Sequence, residues 1–196
     1  MEVANFNSEK YPTREQARAS LIRLLQDAHA GERAASNAYW GHAHSLFVTS
    51  KTEKSEILKI YHDEVHHRQR LGEMLKGLGA KPRPGRELAM WLIGAVIATL
   101  SYIGTWFIPM YGAGQLERTN IGEYEVAARL AFLAGESDII EELVSFAEVE
   151  WDHEAFFRNK VEGHFLMKWL KIWPSPEKRE WISESFLGFC KDETAR

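Results

Sequence analysis

Apolar residues recur at helical spacing through most of this chain, and the alternation that marks strands is scarce. Pro12 and Thr13 open the first predicted helix, with Thr13 as N-cap and Glu15 and Gln16 in its first turn. The pattern carries that helix to about Val48. A second helix starts at Lys51 or Thr52 and ends near Gly77 and Gly79. Lys81-Pro82-Arg83-Pro84-Gly85 then breaks the pattern. Leu88 to Gln115 follows without a charged residue. A third long helix is expected from near Gln115 to Gly135, which suits a C′ glycine. Ser137 and Asp138 cap a fourth, running towards Lys160 or beyond. Pro174-Ser175-Pro176 interrupts the tail, and Ser175 or Pro176 starts a last short helix to about Phe189.

Composition narrows the chemistry. A chain of 196 residues has room for one compact domain: a bundle and crossover over 13–160 and a helical extension over 161–196. The formal charge of −4 offers nothing to a polyanion, so no nucleic acid partner is expected. The single cysteine, Cys190, excludes an intrachain disulfide framework and any cysteine-only zinc or iron–sulfur site. A metal would need oxygen and nitrogen ligands. Met1 to Lys10 lacks an apolar core and reads as neither a secretory signal nor an arginine-rich transit peptide, so an intracellular, reducing location is the default.

The oxygen and nitrogen ligands are present in a repeated order. Gly31-Glu32 on the first helix echoes Gly122-Glu123 on the third. Glu64-x-x-His67 on the second echoes Glu150-x-x-His153 on the fourth. Residues three apart share a helix face, so each Glu-x-x-His pair can reach one ion. Each candidate also sits in an apolar or small-residue stripe, such as Ala28, Ala35 and Tyr39 around Glu32 and Ile60 and Leu71 around Glu64. Buried carboxylates without partners are costly, so four of them need a reason. One glutamate from each of two helices and one Glu-x-x-His from each of two others is the ligand pattern of ferritin-like di-iron or di-manganese bundles. The expected fold is therefore all-α: a ferritin-like four-helix bundle, with the apolar stretch as a long helical crossover between bundle helices 2 and 3. The predicted ligands of two iron ions, with manganese as the alternative metal, are Glu32, Glu64, His67, Glu123, Glu150 and His153. His29, His42, His44, His62 and His66 are read as surface or outer-shell residues. Asp63 and Asp152 are candidates for orienting the ligand histidines, with exposed charge as the alternative.

The uncharged stretch is long enough to cross a bilayer. A single crossing would put Glu32, Glu64 and His67 on one side and the remaining ligands on the other, so the stretch must stay on one side or return. Pro109, Gly104 and Gly112 are expected to break or bend it. Peripheral membrane contact through 88–115 follows as the expectation. Lys81, Arg83 and Arg86 are placed to meet head groups, and Trp169, Trp173 and Trp181 to sit at the interface.

His29-Ala30-Gly31-Glu32, Tyr39, Asp63-Glu64-x-x-His67, the Leu78-Gly79-x-Lys81-Pro82 turn, the apolar stretch, Glu123 and Glu150-x-x-His153 together resemble the demethoxyubiquinone hydroxylase family over roughly Arg23 to Phe157. His42 stands where that family is expected to carry glutamine, and the tryptophan-rich tail has no counterpart in the resemblance. The resemblance implies a di-iron monooxygenase of ubiquinone biosynthesis that uses dioxygen to hydroxylate a prenylated benzoquinol. It implies a peripheral position on a membrane, the cytoplasmic face of the inner membrane in a bacterium. A homo-oligomer is left open. The competing readings are another ferritin-like di-iron oxidase or peroxidase and a non-enzymatic iron-binding protein.

Overall fold

Thr13 begins the first helix with a capping box. Its hydroxyl accepts from the Gln16 amide at 3.3 Å, and its own amide donates to Gln16 Oε1 at 2.9 Å. The structure, a computed structural model, describes residues 12–194. The N-terminal segment read above for targeting signals lies outside the described residues. Six α-helices follow in order: α1 Arg14–Ala43, α2 Lys51–Gly77, α3 Pro84–Ile103, α4 Phe107–Ala134, α5 Ile140–Val161 and α6 Arg179–Thr194. Short 3-10 turns occupy Ser137–Ile139 and Phe165–Lys168, and no strand occurs among the described residues. The molecule is an all-α bundle in which α1 packs on α2, α3 and α4, and α4 packs on α5.

Several boundaries differ from the sequence expectation, including the last helix, which runs Arg179–Thr194 and not from Ser175 or Pro176 to Phe189. The first helix stops at Ala43, short of Val48. His44 Nδ1 takes the Trp40 carbonyl at 2.8 Å, and the Leu46 amide donates to Tyr102 O at 3.2 Å, so the chain turns towards the end of α3. The helix expected from near Gln115 begins at Phe107 instead. Pro109 is its third residue, where a backbone N–H has no intrahelical partner to lose. Of the three expected breakers only Gly104 ends a helix. A Cβ there would lie 2.4 Å from Leu100 O, which makes glycine necessary at that corner. The last helix starts at Arg179, after a strap held to the bundle by Arg118 Nε on Pro174 O (3.2 Å) and Trp151 Nε1 on Glu177 O (2.8 Å).

Apolar burial divides into two clusters. One joins Leu21, Leu25, Leu71, Leu75, Phe146 and Ile182. The other joins Tyr39, Ile57, Ile60, Met110, Phe157 and Trp173. On each of α1, α2, α4 and α5 one buried carboxylate falls between the two: Glu32 after Leu25, Glu64 after Ile60, Glu117 after Met110 and Glu150 before Phe157. The polar centre is thus sealed above and below by packed side chains.

The crossover helix α3 lies along α1 on a seam of small residues. A Cβ on Gly94 would meet Ala34 Cα at 2.7 Å, and one on Gly41 would meet Ala98 O at 2.3 Å, so the two backbones touch. The start of α3 is fixed by Glu87, which accepts from Arg68 at 2.6 Å and pairs with His29 Nδ1 at 2.7 Å. Burial pushes the Glu87 carboxyl up, but the bonds from His29 and Arg68 outweigh it and hold the group below its ordinary range. Trp173 is buried rather than interfacial; Trp169 and Trp181 remain exposed.

Candidate metal centre

Six buried side chains from four helices meet in the middle of the bundle. Glu32, Glu64, His67 and Glu150 offer one donor atom each within 4.8 Å of one another, and so do Glu64, Glu117, Glu150 and His153. Glu64 and Glu150 belong to both groups, so the arrangement offers two adjacent positions that share two carboxylates. Glu32 with His67 completes one position, and Glu117 with His153 completes the other. All six are at most 4 % exposed.

Five of the six residues expected from the sequence are brought together. Glu123 is not among them. It lies half-buried on α4, and Glu117 takes its place. The reason is helical register: six residues at about 100° each put Glu123 roughly 120° around α4 from Glu117. The Gly-Glu dipeptide match that singled out Glu123 carried no register. A different repeat in the sequence does. Glu32 is followed seven residues later by Tyr39, and Glu117 seven residues later by Tyr124. In the fold these pairs cross-connect, Tyr39 donating to Glu117 and Tyr124 donating to Glu32. Burial raises both phenols well above their ordinary value, with the Glu117 and Glu32 charges acting the same way, so both remain donors.

The histidines present their Nδ1 atoms inward. His67 Nδ1 lies 3.1 Å from Glu150 Oε1, and His153 Nδ1 lies 3.3 Å from Glu64 Oε1. His153 Nε2 faces Asp63 Oδ2 at 3.1 Å, and although burial lowers its pKa, bonds to Asp63, Glu150 and Glu64 raise it well above the ordinary value; a cation at the centre would take the place of the inner proton and leave Nδ1 as its ligand. Asp63 therefore reaches across to the histidine of α5, not to that of its own helix. Asp152, the other candidate, points out to Arg179 at 3.1 Å. His29 and His42, expected at the surface or in an outer shell, are buried. His29 pairs with Glu87, and His42 stacks on Phe157 with its pKa lowered to about 4, because burial outweighs the Glu53 charge.

The protein groups do not satisfy one another. Glu32 Oε2, both Glu64 oxygens, Glu150 Oε1 and the Nδ1 atoms of His67 and His153 are buried and make no well-aligned hydrogen bond; the inward histidine nitrogens reach Glu150 Oε1 and Glu64 Oε1 only as close ion-pair contacts. Orphaned acceptors on this scale are expensive unless a cation takes their lone pairs. Burial raises the carboxyls of Glu32, Glu64 and Glu117, with the Glu150 charge adding to each. Burial also opposes the Glu150 charge, but bonds to Glu117, His153 and His67 hold that carboxyl well below its usual range. The donor set, four carboxylates and two imidazoles, fits divalent transition metals and has no thiolate.

An apolar cavity of about 770 Å³ opens beside this centre, between α1, α3 and α4. Met90, Ile93, Ile97 and Leu116 line its length, and Glu32, Tyr39 and Tyr124 form the wall nearest the six ligands. Glu123 belongs to one end of it, near Asp27 and Arg86. Burial, then the Glu32 and Asp27 charges, push the Glu123 carboxyl up. Arg86 forms an ion pair with Asp27 at 3.1 Å.

Comparison of the chain with protein-family models, with curated proteins and with solved structures gives no match.

Proposed function

We propose that this chain is a ferritin-like di-iron monooxygenase that hydroxylates the ring of a long-tailed benzoquinol at a membrane surface. The observation that carries the reading is the apolar cavity running up to a buried centre of four carboxylates and two imidazoles with orphaned donor atoms. Glu32, Glu64, His67, Glu117, Glu150 and His153 would hold the metal. Bound iron would supply the activation of dioxygen, for which oxygen and nitrogen ligands suit it.

The chain's own residues would handle the substrate. Along α1 the cavity runs from Asp27 to His42, roughly 22 Å at about 1.5 Å per residue, far longer than one aromatic ring. Its volume and apolar walls suit a flat ring with a hydrocarbon tail. The ring would lie against Glu32, Tyr39 and Tyr124, where the polar groups gather, and the tail along Met90, Ile93 and Ile97. The two packed clusters above and below the centre would exclude water. Asn120 Nδ2, which donates to Glu117 Oε2 at 3.0 Å, adds a further polar group at the cavity wall.

The outer face of α3 supports the membrane part of the reading. Leu88, Leu92, Val96, Leu100 and Ile103 form one helical stripe and are each more than half exposed. An apolar stripe of this extent is unusual on a free soluble surface. The helix lies along α1, so on this reading the bundle and both halves of the ligand set would stay on one side of the bilayer. The expected result is that the double variant L92E/V96E stops co-floating with lipid vesicles while its metal content is unchanged. Unaltered flotation would remove α3 from the membrane contact.

The reaction is tested on anaerobically iron-reconstituted protein exposed to oxygen and a short-tailed demethoxyquinol analogue. Two coupled irons per chain by Mössbauer spectroscopy, with oxygen uptake tied to a hydroxylated ring, is the expected result. Two irons that consume oxygen and leave the quinol untouched would overturn the substrate and keep the di-iron centre.

A further inference from the structure

The two metal positions look alike in ligand count but differ in what stands behind their histidines. His153 donates from Nε2 to Asp63 at 3.1 Å. His67 has no such carboxylate: among the described residues no hydrogen bond is made to its Nε2, and its ring is packed on Phe146 with centroids 4.1 Å apart. The sequence shows the same asymmetry. Asp63 directly precedes Glu64, whereas Val149 directly precedes Glu150. A carboxylate on the outer nitrogen fixes the imidazole tautomer and raises its basicity towards a metal, worth about 10–100-fold in affinity. Asp63 has a side chain about one-third exposed (33 %), which favours the lower end of that range. The cavity adds a second difference. Glu32 lines it, and Glu117 does not.

We infer that the position built on Glu117 and His153 is the tighter one and fills first, and that the position built on Glu32 and His67, beside the cavity, is the weaker. The inference rests on the proposed two-metal reading. It assigns Asp63 as a positioning residue, acting on the metal through His153. Glu32 and His67 would then hold the more weakly bound ion, on the side of the centre that the cavity reaches.

Unequal binding steps alone would not establish this, because two adjacent dications repel and the second always binds less well. The test isolates each position. The metal-free full chain is titrated anaerobically with Fe(II) alone, followed by calorimetry, in the parent and in E32Q, E117Q and D63N, with helix content checked by circular dichroism. E32Q, left with the His153 position, is expected to bind one ion about 10-fold or more tightly than E117Q, left with the His67 position. Adding D63N to E32Q is expected to remove that advantage, and adding it to E117Q to change nothing. Equal affinities in E32Q and E117Q, or a D63N effect of the same size in both, would overturn the inference while leaving a two-metal centre intact. A parent chain that binds no Fe(II) would overturn the two-metal reading itself.

Discussion

Glu64→Gln is expected to abolish metal binding at both positions, since Glu64 is one of the two carboxylates they share. Mere loss of volume is not the cause, because glutamine keeps the shape. What disappears is an anionic donor whose two oxygens are both buried and make no well-aligned hydrogen bond within the protein. The same substitution on Glu123 is expected to leave metal content intact, because that side chain faces the cavity end, not the centre. Thermal melts give a second readout. A ligand present at 100 times its dissociation constant stabilises the folded state by about 2.7 kcal/mol per site, and that rise should vanish in Glu64→Gln. Without metal the variant should melt no lower than the parent, and its advantage should grow with pH. A carboxyl raised on folding contributes stability that is present below its unfolded value, about 4.3 for glutamate, and lost as pH climbs through its raised folded value. Burial is the main cause of the rise for Glu64, followed by the Glu32 and Glu150 charges. A variant that still took up two ions per chain would remove Glu64 from the centre.

Trp173→Ala is expected to destabilise the bundle by about 3–5 kcal/mol, the range for deleting a buried large aromatic side chain. At roughly 2–4 °C per kcal/mol for a chain of this size, the loss is visible in any melt. Trp173 comes from the strap after α5 and is only 6 % exposed. Its Nε1 donates to the buried Glu154 at 2.5 Å, the Arg158 guanidinium lies 5.1 Å from its ring, and the Tyr111 ring meets it edge-on at 5.4 Å. Gly114 makes room for it: a Cβ there would come within 2.2 Å of the indole. Trp173→Phe keeps much of the packing and drops the bond to a charged group, so a smaller loss of about 1.5–3 kcal/mol is expected. A tryptophan acting at a lipid interface would give the opposite pattern, weaker vesicle binding at an unchanged melting temperature.

The tail shows why part of the molecule could not be read along the chain. Trp169, Trp173 and Trp181 each lie within two residues of a lysine or glutamate, and composition alone gives no reason to bury one of them and expose the others. Only the partner surfaces separate them. Trp173 finds a glycine-lined gap and a buried carboxylate, and the other two find solvent. The cavity is similar. It exists because α3 approaches α1 on small residues while its neighbours on α4 stand off, and no single stretch of sequence states that separation.

By itself the sequence determined what depends on neighbours within a few residues. The helical periodicity, the Thr13 capping box and the left-handed Gly135 at the end of α4 are local, and so is the common face of Glu64 and His67 or of Glu150 and His153. The tertiary structure decided what depends on rotation and contact between helices. It started α4 at Phe107, which moved Glu117 from the first turn of the helix predicted near Gln115 to the middle of the bundle and turned Glu123 to the cavity. It set Asp63 behind the histidine of another helix and crossed the two tyrosines onto the opposite glutamates. A helix's period is fixed by its own hydrogen bonds, whereas its start and its rotation about its axis are fixed by the surfaces it packs against.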